Sequence, residues 1–387
     1  RGSKRAGAAA CAAPRLRSHR LRYRYLVTAN EEVGVDRRAP AARITLADVA
    51  AEAGVSVMTV SRVVNGRPGV GKDTRERVRR AIESLGYRPN VVARGLRAAS
   101  SRTIGLIVPD VTNPYFPEIV RGAEDVAIEH GYTLLLANGI EDVARETESL
   151  RTFEDHLVDG VILCSPRLEN QELYPLLERL RAAVLVNRRS DPRYAGSVRI
   201  DHELGARMLL RHLHEVGCRR PAFLAGPSHS HAGQERRLGL EREVPELGLE
   251  LPPSRVLPCP PTVEGGAKAA REMLARDPEV DALLCFNDLV AAGALQALQE
   301  LGIAVPREIA VTGYDDIVFA RMFTPGLTTI RAPTYELGQQ AGRMLIDRMH
   351  GRGYGVNIVL QPELVVRGST AGFSPRAARR RASAARS

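Results

Sequence analysis

Between residues 44 and 66, in ITLADVAAEAGVSVMTVSRVVNG, the hydroxyl and amide side chains of Thr45, Ser56, Thr59, Ser61 and Asn65 gather around a single arginine, Arg62. Such groups can donate hydrogen bonds to phosphate oxygens, contacts that position a protein on nucleic acid without reading its sequence. Arg62 is the strongest base-reading candidate, because its planar fork can engage guanine through two parallel hydrogen bonds. Val57 and Met58 offer only apolar contact, for example to a thymine methyl. The alternative is an ordinary three-helix cap with Arg62 in solvent.

The elements that must position these side chains are short helices. Thr45 followed by Asp48 is a capping box with Asp in place of Glu or Gln. Leu46, Val49, Ala50 and Ala53 then mark one helical face, and Gly54 can take the left-handed conformation that a sharp turn requires. Ser56 can cap a second helix. Its Val60, Val63 and Val64 face inward, which leaves Val57, Met58, Thr59, Ser61 and Arg62 outward. A third helix is predicted from Lys72 to Leu85, with Val78, Ala81, Ile82 and Leu85 inward, ended by Gly86 and Pro89. Two helices on a Gly-containing turn with a third behind them make a helix-turn-helix, whose second helix enters a major groove.

After Arg102 the texture changes. Apolar runs of strand length recur ("TIGLIVP", "YTLLLA", "DGVILC", "AAVLVN", "PAFLAG", "DALLCF", "EIAVTGY"), separated by amphipathic stretches such as "PEIVRGAEDVAIEHG". Unalternating strands between helices imply parallel sheets covered on both faces. The number of units calls for two α/β subdomains, each a doubly wound parallel sheet, with the break near 187–200 and the chain crossing back near 330 and 353. Ligands of such sheets bind where the strand-end loops converge. The loops are "PDVTNPYF", "AGPSHSHAGQERR", "FNDLV" and "GYDDI".

Charge divides the chain in the same way. Residues 1–42 carry ten basic and three acidic side chains, 43–102 twelve and five, 103–374 twenty-eight and thirty-seven, and 375–387 five and none. A basic front on an acidic body points to phosphate recognition by the front alone. The 1–42 leader and the 375–387 tail read as disordered basic segments. The five cysteines form no CxxC pair, which fits reduced thiols in a cytoplasmic protein. No stretch has the apolar length of a membrane span. The histidines of "HSH" (229–231) lack a converging ligand set, so they read as a solvated loop and no metal or cofactor is expected. An enzyme on a dinucleotide-type fold would want a phosphate loop, yet "DVTNPYF" after the first strand has no glycine. No nucleophile–base set stands out.

The connector "RPNVVARGLRAASSRT" joins the front unit (43–89) to the body (103–374). Asn90 can cap a helix from Val91 to Arg97. So short a helix is marginal in water, and Gly95 inside it costs roughly a further 0.8–1.0 kcal/mol relative to Ala. Such a segment (90–102) folds only when held, which makes it a place where regulation can act.

The tandem of "TLADVAAEAGVSVMTVSRVVNG", "TRERVRRAIESLGYRPNVVARGLR" and "RTIGLIVPDVTNPYF" resembles the lactose-repressor (LacI/GalR) family of bacterial transcription regulators, over about Ile44 to Ser369. The resemblance implies a helix-turn-helix head, a hinge helix and a body of periplasmic-binding-protein type. It implies a cytoplasmic repressor that binds a pseudo-palindromic duplex as a homodimer, or as a tetramer, under control of a small-molecule effector. Among the hinge residues Asn90, Ala93 and Leu96 it assigns DNA contact, with Leu96 as the wedge between base steps. In the body it assigns effector contact to Asn113, Phe116, Arg236 and Asp288, a set that suits a neutral polyol, above all a sugar, or a nucleobase. Ala332, His202 and Gly71 depart from the family pattern. The first two leave the effector's identity open.

Overall fold

A computed structural model describes residues 44–87, 100–353, 356–375 and 381. The expected leader, most of the basic tail and the hinge positions Asn90, Ala93 and Leu96 lie outside the described residues. The chain divides into two compact units, parted between Pro89 and Asn90.

The first unit holds α1 (Leu46–Ala53), α2 (Val57–Val64) and α3 (Lys72–Leu85). Both halves of the capping box are made: the Asp48 amide donates to the Thr45 hydroxyl at 3.4 Å, and the Thr45 amide donates to the Asp48 carboxylate at 2.7 Å. Gly54 ends α1 at φ +61°, a conformation that a β-carbon would strain. Ser56 caps α2, accepting from the Thr59 amide at 3.2 Å. Gly71 precedes α3 without a side-chain cap. Val49, Val60 and Val78 are fully buried between the three helices, with Ala50, Ala53, Ala81 and Tyr87 around them.

The second unit runs β1 (Thr103–Val108), α4 (Tyr115–Glu129), β2 (Thr133–Asn138), α5 (Val143–Asp155), β3 (Gly160–Cys164), α6 (Asn170–Leu177), β4 (Ala183–Val186), β5 (Gly196–Ile200) and α7 (His202–Glu215). It continues through β6 (Pro221–Ala225), α8 (His231–Glu246), β7 (Val256–Pro258), α9 (Val263–Arg276), β8 (Ala282–Cys285), α10 (Asp288–Glu300) and β9 (Ala310–Thr312). It closes with β10 (Thr329–Arg331), α11 (Thr334–Met349), β11 (Asn357–Leu360) and β12 (Glu363–Val365).

The first sheet has the order β11-β5-β4-β3-β1-β2, the second β7-β6-β8-β9, and both are parallel throughout. β10 and β12 form a small antiparallel pair. The polar stretch 187–195 is an excursion inside the first subdomain, because "GSVRI" pairs parallel with β4. The chain therefore leaves that sheet only at Asp201. It returns between β10 and α11, and leaves again between β11 and β12 at residues 361–362, past the expected point near 353.

Helices α4 and α11 cover the first sheet together. A β-carbon on Gly122 would stand 2.2 Å from the Tyr335 carbonyl oxygen, and one on Gly338 would stand 2.1 Å from that of Ile119. Their backbones are in direct contact, with no room for a side chain between them. The core around them is aliphatic, with Ile104, Leu106, Ile162 and Leu345 fully buried. Cys164 and Cys285 are buried strand-end residues of the two sheets.

Candidate functional site

On the first unit, the side chains exposed along α2 are Val57, Met58 and Arg62, with Thr59 and Ser61 half-buried beside them. Met58 is 68 % exposed, more than Val57. Arg62 lies in the last turn of α2, so Val57 and Met58 hold the helix start. The polar groups are organised among themselves. The Ser56 and Thr59 hydroxyls share a 2.9 Å hydrogen bond, and the Asn65 amide donates to the Ser61 carbonyl at 2.7 Å. Thr45 and Ser56 thus serve as helix caps, with their outer faces still exposed.

In the second unit a cleft opens where the carboxyl ends of both parallel sheets converge. Its free space is narrow, about 30 Å³. Asn113, Tyr115 and Phe116 reach it from the turn after β1, Ser165 and Arg167 from the end of β3, and Asn187 from the end of β4. Ser230, Ala232 and Arg236 come from the α8 start, Phe286 and Asn287 from the end of β8, and Asp315 from the turn after β9. Ser165, Asn187 and Asp315 have φ of +47°, +56° and +114°. Backbone held in this sparsely populated region clusters at binding sites, where the fold can keep it there.

Arg236 is the centre of the cleft's electrostatics. Its guanidinium donates to the Phe286 carbonyl, lies 3.6 Å from the centroid of the Tyr314 ring and stands 3.5 Å from the Asp315 carboxylate. Arg236 Nε and Asp315 Oδ1 are buried without a hydrogen-bond partner. Burial pushes the Asp315 carboxyl up to about 7, against the opposing pull of Arg236. A second pair, Arg167 with Glu141, makes two parallel bonds of 2.7 and 3.0 Å at the opposite wall. Asn187 donates to the Tyr115 hydroxyl at 2.7 Å, which fixes its amide against the aromatic wall. Acids and bases on the lining are matched, two of each, and the surfaces between them are mostly aromatic, amide and hydroxyl.

Three of the expected effector residues, Asn113, Phe116 and Arg236, stand on this lining. Asp288 does not. It is fully buried behind it, accepting from the Thr329 hydroxyl at 2.6 Å and the Ile317 amide at 2.8 Å. Burial, and then the neighbouring Asp315, hold its carboxyl well above the usual range. In "FND" it is Asn287 that meets the cleft, and the carboxylate there comes from "GYDDI". His202 is also fully buried, 3.3 Å from the Tyr314 hydroxyl, and burial with Arg236 nearby keeps its ring neutral. The "HSH" stretch is no solvated loop: Ser230 is 1 % exposed and caps α8, and His231 is its first residue. Among the described residues no group of His, Cys, Asp and Glu could hold a metal ion, and no helix is long and apolar enough to cross a membrane.

The profile of the bacterial regulatory proteins, lacI family, matches residues 45–90, and that of the periplasmic binding protein-like domain matches 210–370. The HTH-type transcriptional regulator RegA of Clostridium saccharobutylicum is 37 % identical over 84 % of this chain and 99 % of its own. The ribose operon repressor of Halalkalibacterium halodurans is 35 % identical over 85 % and 97 %. Among solved structures, the transcriptional regulator CelR–cellobiose complex aligns with a TM-score of 0.65 at 35 % identity, over 84 % of this chain and all of that one. The lac repressor dimer bound to operator and the anti-inducer ONPF aligns with a TM-score of 0.75 at 28 % identity, over 84 % and 99 %.

Proposed function

The chain belongs to the lacI family of bacterial regulatory proteins, and we propose that it is a repressor whose operator affinity is set by a sugar or sugar derivative held in the cleft of the second unit. The observation that carries the ligand class is the pairing of Arg236 with Asp315. Arg236 Nε makes no hydrogen bond, and Asp315 Oδ1 makes none beyond its 3.5 Å ion pair with Arg236. Leaving such atoms unpaired costs about 1–3 kcal/mol each, a cost that a ligand bearing adjacent hydroxyls removes. Phe116 and Phe286 supply the apolar faces on which a sugar ring rests, and the balanced charges disfavour an ionic ligand. The ribose operon repressor and the cellobiose-bound regulator among its relatives support the same class.

Asn113, Phe116, Arg236, Asn187, Asn287 and Asp315 are the ligand contacts in this reading. Asp288 is a positioning residue, pinning the "GYDDI" turn and the crossing strand β10 to the start of α10. On the first unit, Val57, Met58 and Arg62 meet the major groove, and Thr45, Ser56, Thr59, Ser61 and Asn65 meet phosphates. Asn90, Ala93 and Leu96 meet the minor groove. The homodimer uses apolar surface that the single chain leaves exposed. One patch is Val111, Leu135, Leu136 and Ile140 around the edge strand β2, and a second is Val318, Phe319 and Met322. The protein carries out no catalysis in this reading.

A thermal-shift panel of D-ribose, D-galactose, cellobiose, adenosine and cytidine tests the cleft. A sugar raises the melting temperature by mass action, and the rise disappears in Asp315→Ala. A rise with the nucleosides alone would move the ligand class to nucleobases.

A further inference from the structure

The body has to hold the end of the connector if anything in the cleft is to reach DNA, and one carboxylate is placed to do so. Asp159 sits in the turn between α5 and β3 and is 3 % exposed. Its Oδ2 accepts from the Ser100 hydroxyl at 2.8 Å, the Arg102 amide at 2.7 Å and the Ser101 hydroxyl at 3.5 Å. Its own amide donates to the Thr103 carbonyl at 2.8 Å. Arg102 is held in the left-handed region, at φ +54°. Residues 100–102 are the last of the connector, and all three are gripped by the same oxygen.

The other oxygen leads elsewhere. Asp159 Oδ1 lies 3.6 Å from Arg181, and Arg181 also donates to the Met349 carbonyl at 3.3 Å, on the last residue of α11. α11 is the helix that begins where the chain re-enters the first subdomain. It is locked backbone to backbone on α4, whose first residues Tyr115 and Phe116 line the cleft. A contiguous series of packed and hydrogen-bonded groups therefore runs from the cleft wall through α4, α11 and Arg181 to the end of the connector.

The second subdomain repeats the device without the connector. Asp281, in the turn before β8, accepts from the Arg219 and Arg220 amides at 2.8 Å each. Those residues only lead into β6. The pair of carboxylates separates holding a fold together from holding a connector.

We propose that Asp159 is the positioning residue by which the body grips the connector, with Arg181 tying that grip to α11. This rests on the regulator reading above. The test uses the full chain and a duplex selected by the wild-type protein from a random pool. Asp159→Asn weakens affinity for that duplex at least fivefold, and Arg181→Gln does so to a smaller degree. Asp281→Asn, matched for loss of melting temperature, stays within twofold of wild type. With whichever sugar of the panel stabilises the protein, the sugar's effect on duplex affinity shrinks at least threefold in Asp159→Asn, while its affinity for the protein off DNA stays within twofold. Equal effects of Asp159→Asn and Asp281→Asn on duplex affinity, or none from either, overturn the proposal and leave the regulator reading standing. Should Asp159→Asn fail to fold, the exposed Arg181→Gln carries the same comparison, and wild-type affinity in that variant overturns the proposal. A wild-type protein that selects no duplex overturns both.

Discussion

The Arg236 guanidinium stands 3.5 Å from the Asp315 carboxylate, and both side chains are only 6 % exposed. A guanidinium and a carboxyl so placed inside a cleft, with neither Nε of one nor Oδ1 of the other in a hydrogen bond, form a receptor for a group that both donates and accepts. Asp315→Ala is expected to weaken sugar binding by about 1.5–3 kcal/mol, the range for a hydrogen bond to a charged group, or roughly 10- to 150-fold in affinity. Isothermal titration checks it, and wild-type affinity in the variant would move the ligand away from this pair.

The same carboxyl gives a pH dependence of stability. In the folded protein burial raises Asp315 to about 7, from an ordinary value of 3.8. Between those values the folded state holds a proton that the unfolded state has released. This contribution to stability is full below about pH 4 and is lost as pH rises to about 7. The melting temperature of Asp315→Asn relative to wild type should therefore climb between pH 4.5 and pH 8. A difference that stays constant over that range contradicts the shift.

Asp288 and Asp315 are expected to separate cleanly. Asp288→Ala leaves the Thr329 hydroxyl and the Ile317 amide buried without a partner, at a cost of about 1–3 kcal/mol for each. Chemical denaturation should show that loss, and residual sugar binding should follow the folded fraction. Asp315→Ala should lose sugar binding in the folded fraction itself.

Gly122→Ala places a methyl group 2.2 Å from the Tyr335 carbonyl oxygen. Since neither backbone can yield alone, the substitution is expected to cost about 1–3 kcal/mol. A denaturation midpoint matching wild type would show that α4 and α11 can part.

Arg62→Ala is expected to cost about 1–3 kcal/mol of operator binding and to relax preference at one base position. Equal loss on every sequence would make Arg62 a phosphate contact, in keeping with its place in the last turn of α2.

The head was legible in the sequence because each of its signals is local. Thr45, Gly54 and Ser56 act within three or four residues of themselves, and the apolar spacing of Val49, Val60 and Val78 reports one small core. The parallel sheets were legible for the same reason, as runs such as "TIGLIV" and "GVILC" have no polar face. Membership of a sheet is not local. β5 belongs to the first subdomain only because it pairs with β4 after a polar excursion, and nothing in "NRRSDPRYAGS" announces that. The cleft shows the same limit. "FND" and "GYDDI" both offer carboxylates, and only the fold turns Asp288 inward toward Thr329 and Asp315 outward toward Arg236. Ser165, Asn187 and Asp315 share a positive φ on the cleft lining, but Arg102, Ile140 and Leu157 have it elsewhere, so it does not single out the site.

In the proposed mechanism, occupancy of the cleft governs the hold on DNA. Fluorescence anisotropy of a labelled selected duplex, titrated with the full chain at saturating and at zero sugar, tests it directly. Coupling between sites of this kind is typically about 5- to 150-fold in affinity. A shift of that size in the wild-type protein, absent from Asp315→Ala, is the predicted result. Identical duplex affinity with and without a sugar that calorimetry shows to be bound would contradict it.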